Sequence, residues 1–155
     1  MKKFLVVFLL TILSSNTAFA FASDIESHSG VISQRTVWSA DKVHLIEGNV
    51  RVTSGVELSI EPGTVIKFKT GTNLQVDGAL NAVGSSNARI YFTSFRDDSV
   101  GGDTNQDGYS QGQAGDWSGL YFTDTVADNL TKLAYIENRF AGRSSTAAIR
   151  LYNAS

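Results

Sequence analysis

The residues best suited to chemistry in this chain stand together at Asp103-Thr104-Asn105-Gln106-Asp107-Gly108. Carboxylate and amide oxygens fall at alternate positions, and a glycine follows that lets the chain turn sharply. That spacing is the first half of a calcium loop, because Ca²⁺ takes roughly 6–8 oxygen ligands in a flexible geometry. Tyr109 would add its main-chain carbonyl at the next ligand position. Further on the pattern fails, since Ala114 stands where an EF-hand loop places a bidentate Glu. Asp116, Asp97 or Asp98, all in the same polar segment, could supply the missing carboxylate. The same residues also suit an acidic, solvated insertion held by Asx-turns with no ion.

Other catalytic material is sparse. The chain has two histidines and no cysteine, which rules out a thiol nucleophile and disulfide stapling. His28 lies in a polar N-terminal stretch, and His44, between Val43 and Leu45, is expected to point outward from a strand. No nucleophile elbow, zinc spacing or phosphate loop occurs. Arg89, Arg96, Lys67 and Lys69 read as basic residues on a solvated strand face. Trp117, Tyr121, Tyr91 and Phe95 could stack on sugar rings; alternatively Trp117 packs beneath the acidic loop. Asn129-Leu130-Thr131 and Asn153-Ala154-Ser155 fit the short acceptor pattern for N-glycosylation. With a net charge of −2 and no basic cluster beyond the first residues, nucleic acid is disfavoured as a partner.

These residues must be positioned by the stretch 48–94. Its apolar pairs fall at Val50/Val52, Leu58/Ile60, Ile66/Phe68, Leu74/Val76 and Ile90/Phe92, with Ala82 and Gly84 in the weakest slot. A two-residue alternation is the mark of a strand with one buried face. Here it recurs at a step of eight, and Gly55, Gly63 and Gly71 keep the same step. Turn residues separate the strands. Three such units per coil would give a rung of about 24 residues, stacking Val50 on Leu74, Leu58 on Ala82 and Ile66 on Ile90. Two units per coil would give a flatter solenoid whose thin interior suits Phe68 and Phe92 poorly. An antiparallel meander is the competing arrangement, disfavoured by the regular glycine spacing. Later strands are expected at residues 133–136 and 148–152, with Leu133/Tyr135 recurring as Ile149/Leu151. The segment 93–116, after Phe92 and before the pattern resumes at Leu120-Tyr121-Phe122, is expected to be a loop.

The run VTSGVELSIEPGTVIKFKTGTNLQVDGALNAVGSSNARIYFTS, followed by the Asp/Gly-rich loop and GDWSGLYF, resembles the N-terminal coils of secreted right-handed parallel β-helix proteins of the pectin-lyase-like superfold. The likeness covers residues 36–122. It implies an all-β solenoid and an exported surface protein. It does not imply one activity, since the fold hosts polysaccharide lyases, hydrolases and adhesins. Lyases of this fold pair acidic calcium ligands with a basic residue as proton abstractor, a part the resemblance would give to Arg89, Arg96, Lys67 or Lys69; it also admits the N-terminal part of a polysaccharide-degrading enzyme whose catalytic residues lie in later coils.

At the N-terminus Lys2-Lys3, an apolar run from Phe4 to Leu13 and Ala18-Phe19-Ala20 have the form of a secretory signal peptide, cleaved after Ala20 or Ala22. The apolar run is short for a transmembrane helix. The resulting division is a signal peptide at 1–22, an N-terminal cap at 23–42 in which Val31-Ile32 and Val37-Trp38 form a lid, and coils from 43 to 155. Because no polar cap follows Tyr152, the coils are expected to continue in a longer protein. The expected role is a secreted or cell-surface scaffold or adhesion module with a calcium-stabilised loop, no catalytic residues of its own, and an extracellular polysaccharide or a host or cell-surface ligand as partner.

Overall fold

Short apolar alternations produce short strands, and strands this short are stable only when stacked on others. The computed structural model describes residues 24–145 and 147–152. The expected signal peptide at 1–22 and the acceptor pattern at 153–155 lie outside the described residues. The strands are β1 (Asp24–Ile32), β2 (Thr36–Trp38), β3 (Lys42–Val52), β4 (Glu57–Ile60), β5 (Val65–Phe68), β6 (Asn73–Val76), β7 (Ala79–Val83), β8 (Ile90–Ser94), β9 (Gly119–Phe122), β10 (Lys132–Ala134), β11 (Ile136–Asn138) and β12 (Ile149–Leu151). Among the described residues the helical content is a single 3₁₀ turn at Arg143–Ser145.

Every strand pairing is parallel, which removes the meander. One sheet has eight strands and the other four, in the order β10-β7-β4-β2. In the larger sheet β3 is long enough to serve two ladders, its first part pairing with β5 and its last part with β6. The strands therefore curl around a shared interior in a solenoid-like arrangement, with each layer hydrogen-bonded to the layers beside it.

The interior is a set of columns. Val50, Leu74 and Leu120 align, as do Val52, Val76 and Phe122, and all six are buried. Burying an aliphatic side chain of this size stabilises the fold by about 1.5–3 kcal/mol. Phe68 meets Trp117 face to face, with ring centroids 3.8 Å apart. Gly55, Gly63 and Gly71 all have positive φ, 78°, 89° and 79°, so the regularly spaced glycines are the corners where the chain turns from one strand to the next.

The register differs from an even step. Val50 does align with Leu74, 24 residues on, but Leu58 aligns with Leu80 rather than Ala82, and Ile66 with Phe92 rather than Ile90. The corners differ in length, so the layers advance by unequal amounts while the in–out alternation is preserved. Leu133/Tyr135 and Ile149/Leu151 do not form a repeat either. Tyr135 is a corner with φ 50°, separating β10 from β11, and β10 pairs with β7 whereas β12 pairs with β9.

Residues 24–41 of the expected cap are themselves paired: β1 runs beside both parts of β3, and β2 beside β4. Of the expected lid residues, Trp38 is buried and Ile32 packs on the core, whereas Val31 and Val37 are exposed. His44 does not point outward. It aligns with Ile66, on the inward-facing register, and is 1% exposed. Trp38 stacks on it and β1 runs beside it, while the outward positions of this strand are Val43 and Leu45, themselves buried.

Candidate functional site

The segment between β8 and β9 is the largest interruption of the strand pattern, and it does not extend into solvent. It folds back across the outer face of β3, β5 and β8. Gly101, with φ 70°, lies so close that a Cβ there would stand 3.0 Å from Val43 Cγ2 and 3.1 Å from Val65 Cγ1. Lys67, expected on a solvated face, is 0% exposed. Its Nζ donates to the Gly102 carbonyl at 2.6 Å. Burial pushes the Lys67 ammonium below its usual range, and Asp98, Asp97 and Asp103 oppose that shift.

The carboxylates of the loop divide into two sets. Asp97 is buried and structural: Oδ2 accepts from Thr93 Oγ1 at 2.6 Å, Oδ1 from Ser99 Oγ at 2.5 Å, and Arg139 stands 3.6 Å away. Asp116 is likewise committed, with Oδ2 accepting from Ser94 Oγ at 2.6 Å and from the Gln113 amide. Neither joins the Asp103 turn. Asp98, Asp103 and Asp107 do converge, each offering a carboxylate oxygen within 4.8 Å of the others. Asp98 is thus the residue placed beside the turn, out of the three candidates for the missing carboxylate.

The turn is locally specified. Gln106 and Gly108 both take positive φ, 57° and 83°, and the Gly108 amide donates to Asp103 Oδ2 at 3.1 Å. Ser110 fastens the far side: its amide donates to Asp98 Oδ2 at 2.5 Å, and its hydroxyl reaches the Arg96 carbonyl at 2.8 Å with Asp98 Oδ2 at 3.1 Å. Asn105 Nδ2 in turn donates to Ser110 Oγ at 3.3 Å. After these bonds are made, Asp98 Oδ1 and Asn105 Oδ1 remain buried without a hydrogen-bond partner. Such oxygens are costly to bury unless something completes them.

A divalent oxygen-seeking cation fits that deficit. Three carboxylates converge there, and the two partnerless atoms are acceptors of the type Ca²⁺ takes. The residues that would hold it are Asp98, Asp103, Asn105 and Asp107. Tyr109 would add only its main-chain carbonyl, its side chain being 85% exposed.

The remaining sequence candidates are dispersed. Trp117 belongs to the core, its Nε1 donating to the Arg139 carbonyl at 2.8 Å. The Tyr91 ring lies under Arg139, and Tyr121 contacts Arg150 and Tyr152. Lys69 pairs with Glu47 and sits over Phe95, and Arg89 faces Glu137. Of these basic residues Lys67 alone is buried among the carboxylates of the loop, and it is sealed beneath that loop where no polymer can reach it. Sequence reasoning missed this burial. The signal was available in Val43, Leu45 and Val65, which are apolar at outward-facing positions and hence require a cover.

No family model matches the chain, and no solved structure matches it. A stretch of 64 residues, 41% of this chain, is 33% identical to part of the Drosophila melanogaster protein called Protein bark beetle. The aligned stretch is 2% of that relative's length. Among the described residues no helix is long and apolar enough to cross a membrane.

Proposed function

We propose that this chain is part of an exported right-handed parallel β-helix of the pectin-lyase-like kind, with coils of about 24 residues, acting as a surface scaffold or adhesion module. Its outer loop is ordered by a calcium ion held by Asp98, Asp103, Asn105 and Asp107. The observation that carries the calcium reading is the pair of buried oxygens, Asp98 Oδ1 and Asn105 Oδ1, left without partners beside three converging carboxylates. Export rests on the signal-type N-terminus, a location where calcium is abundant enough for weak sites of about 10⁻⁴–10⁻³ M.

In this reading the ion is structural. It holds the loop against β3 and β5 and thereby keeps Lys67 covered, leaving the outer surface of the coils as the part that meets extracellular polysaccharide or a cell-surface ligand. Thermal melting with calcium and with a chelator tests it. Calcium at a hundredfold excess over its Kd should stabilise the chain by about 2.7 kcal/mol. Asp103→Ala combined with Asp107→Ala should erase the difference, and a wild-type melt unchanged by chelator would sink the calcium site.

A further inference from the structure

A second cluster lies where β1 meets β3, with Glu26 exposed, His28 half-buried and His44 buried. Glu26 stands directly opposite His44 in the parallel ladder, and His28 is two residues further along β1. Glu26, His28 and His44 each offer a ligand atom within 4.8 Å of the others. His28 Nε2 and His44 Nδ1 are 2.8 Å apart. His44 Nε2 lies 3.0 Å from the Ser39 carbonyl.

Those distances fix the protons. A carbonyl only accepts, so His44 Nε2 carries a hydrogen. In the neutral ring Nδ1 is then a bare lone pair, and His28 Nε2 must donate to it. Burial is the main cause holding both imidazoles below their usual range, which favours the neutral, ligating form. A ring whose outer N–H is anchored on a backbone carbonyl while its inner nitrogen faces a second imidazole and a carboxylate is the arrangement that orients histidine on a metal.

We propose that Glu26, His28 and His44 form a site for a divalent transition ion of the zinc type. Two imidazoles and one carboxylate are a borderline donor set that suits Zn²⁺, whereas Ca²⁺ prefers oxygen alone. The lone pairs of His44 Nδ1 and His28 Nε2 bind the ion. The hydrogen that His28 donates moves to its own Nδ1, so both rings stay neutral. Glu26 is held from the other side by Lys42, which donates to Oε2 at 3.1 Å, leaving Oε1 to face the ion. Zn–N bonds of about 2.0–2.1 Å in tetrahedral geometry spread the nitrogens by a few tenths of an ångström, a shift open to the half-buried His28. His44 stays fixed, since it is fully buried and its Nε2 is anchored on the Ser39 carbonyl. Three protein ligands leave a position for water.

The test is calorimetric titration of the chelator-treated full chain with Zn²⁺. Saturable binding is expected, weakened on the order of 100-fold or more in His28→Ala and in Glu26→Gln, since even outer-shell changes cost about 10–100-fold. His44 is not the residue to vary, because its loss would open the core. In a Trp117→Phe background, Cu²⁺ should quench Trp38 emission, and His28→Ala should abolish the quenching. Asp103→Ala plus Asp107→Ala should leave zinc binding unchanged, which separates this site from the calcium loop. Absence of saturable zinc binding, or equal affinity in the wild type and both His28 and Glu26 variants, overturns the proposal.

Discussion

Lys67 and Gly102 are joined across a sequence separation of 35 by the ammonium-to-carbonyl hydrogen bond at 2.6 Å. An ammonium cannot be left unpaired beneath a loop, so this bond and the surrounding carboxylates commit the loop to one position. Reversing the charge at Lys67 should therefore be severe. Lys67→Asp would place a carboxylate among Asp97, Asp98 and Asp103 and should cost about 3–5 kcal/mol, comparable with Ile66→Asp in the dry interior. Lys67→Met, which keeps the stem, should cost less. Denaturant midpoints of the three variants measure this, and a Lys67→Asp midpoint equal to wild type would mean that the loop does not close over β5.

Asp97 should give the chain part of its acid sensitivity. Burial raises its pKa, but hydrogen bonds from Ser99 and Thr93, together with Arg139, outweigh burial and leave it below the ordinary 3.8. The native state then holds on to its charge where the unfolded chain has begun to take up a proton. The stabilisation is full above the ordinary carboxylate value and disappears as pH falls through the lowered one. Asp97→Asn should be less stable by about 2 kcal/mol at neutral pH and should lose less on acidification. Asp77, also held low in the fold, keeps the remaining slope from vanishing. Stability against pH for the two proteins provides the comparison, and parallel curves would refute the assignment.

Trp117 is a core residue with one polar tether. Trp117→Phe retains a ring against Phe68 but removes the donor to the Arg139 carbonyl, for an expected loss of about 1–2 kcal/mol. Trp117→Ala empties the column and should cost about 3–5 kcal/mol. Neither should act on a polysaccharide through lost stacking, since the indole is inside. Retention of Trp117→Phe on immobilised polysaccharides, measured beside its unfolding curve, distinguishes the roles: weaker retention at unchanged stability would contradict a core position.

The parts of the fold legible in the sequence are those that depend on neighbours along the chain. Leu58/Ile60 and Leu74/Val76 alternate because a strand exposes successive residues to opposite faces, and the glycines at 55, 63 and 71 mark corners because only they take positive φ cheaply. Register was less legible. Nothing in Leu58 alone says whether Leu80 or Ala82 will lie beside it, because that depends on how many residues each corner absorbs. His44 and Lys67 were misplaced for a related reason: in both cases burial is decided by a distant segment, β1 with Trp38 in one and the returning loop in the other. The Asp103 turn showed itself as a local oxygen pattern. Its partner Asp98 required the three-dimensional fold, as did the alignment of Glu26 with His44, whose spacing follows no repeat.

The loop between β8 and β9 also crosses layers. Gly101 rests on Val43 of β3 and Val65 of β5, Asp97 is bonded to Thr93 of β8, and Ser99 accepts from Arg139, the residue after β11, at 3.2 Å. In a stack where each layer touches only its neighbours, unfolding can begin at an end and travel inward layer by layer. A strap fastened to four successive strands removes that freedom, because peeling any one of them detaches the strap from the others. The consequence is mechanical: pulled along its axis, this part of the solenoid should yield as one block rather than in steps.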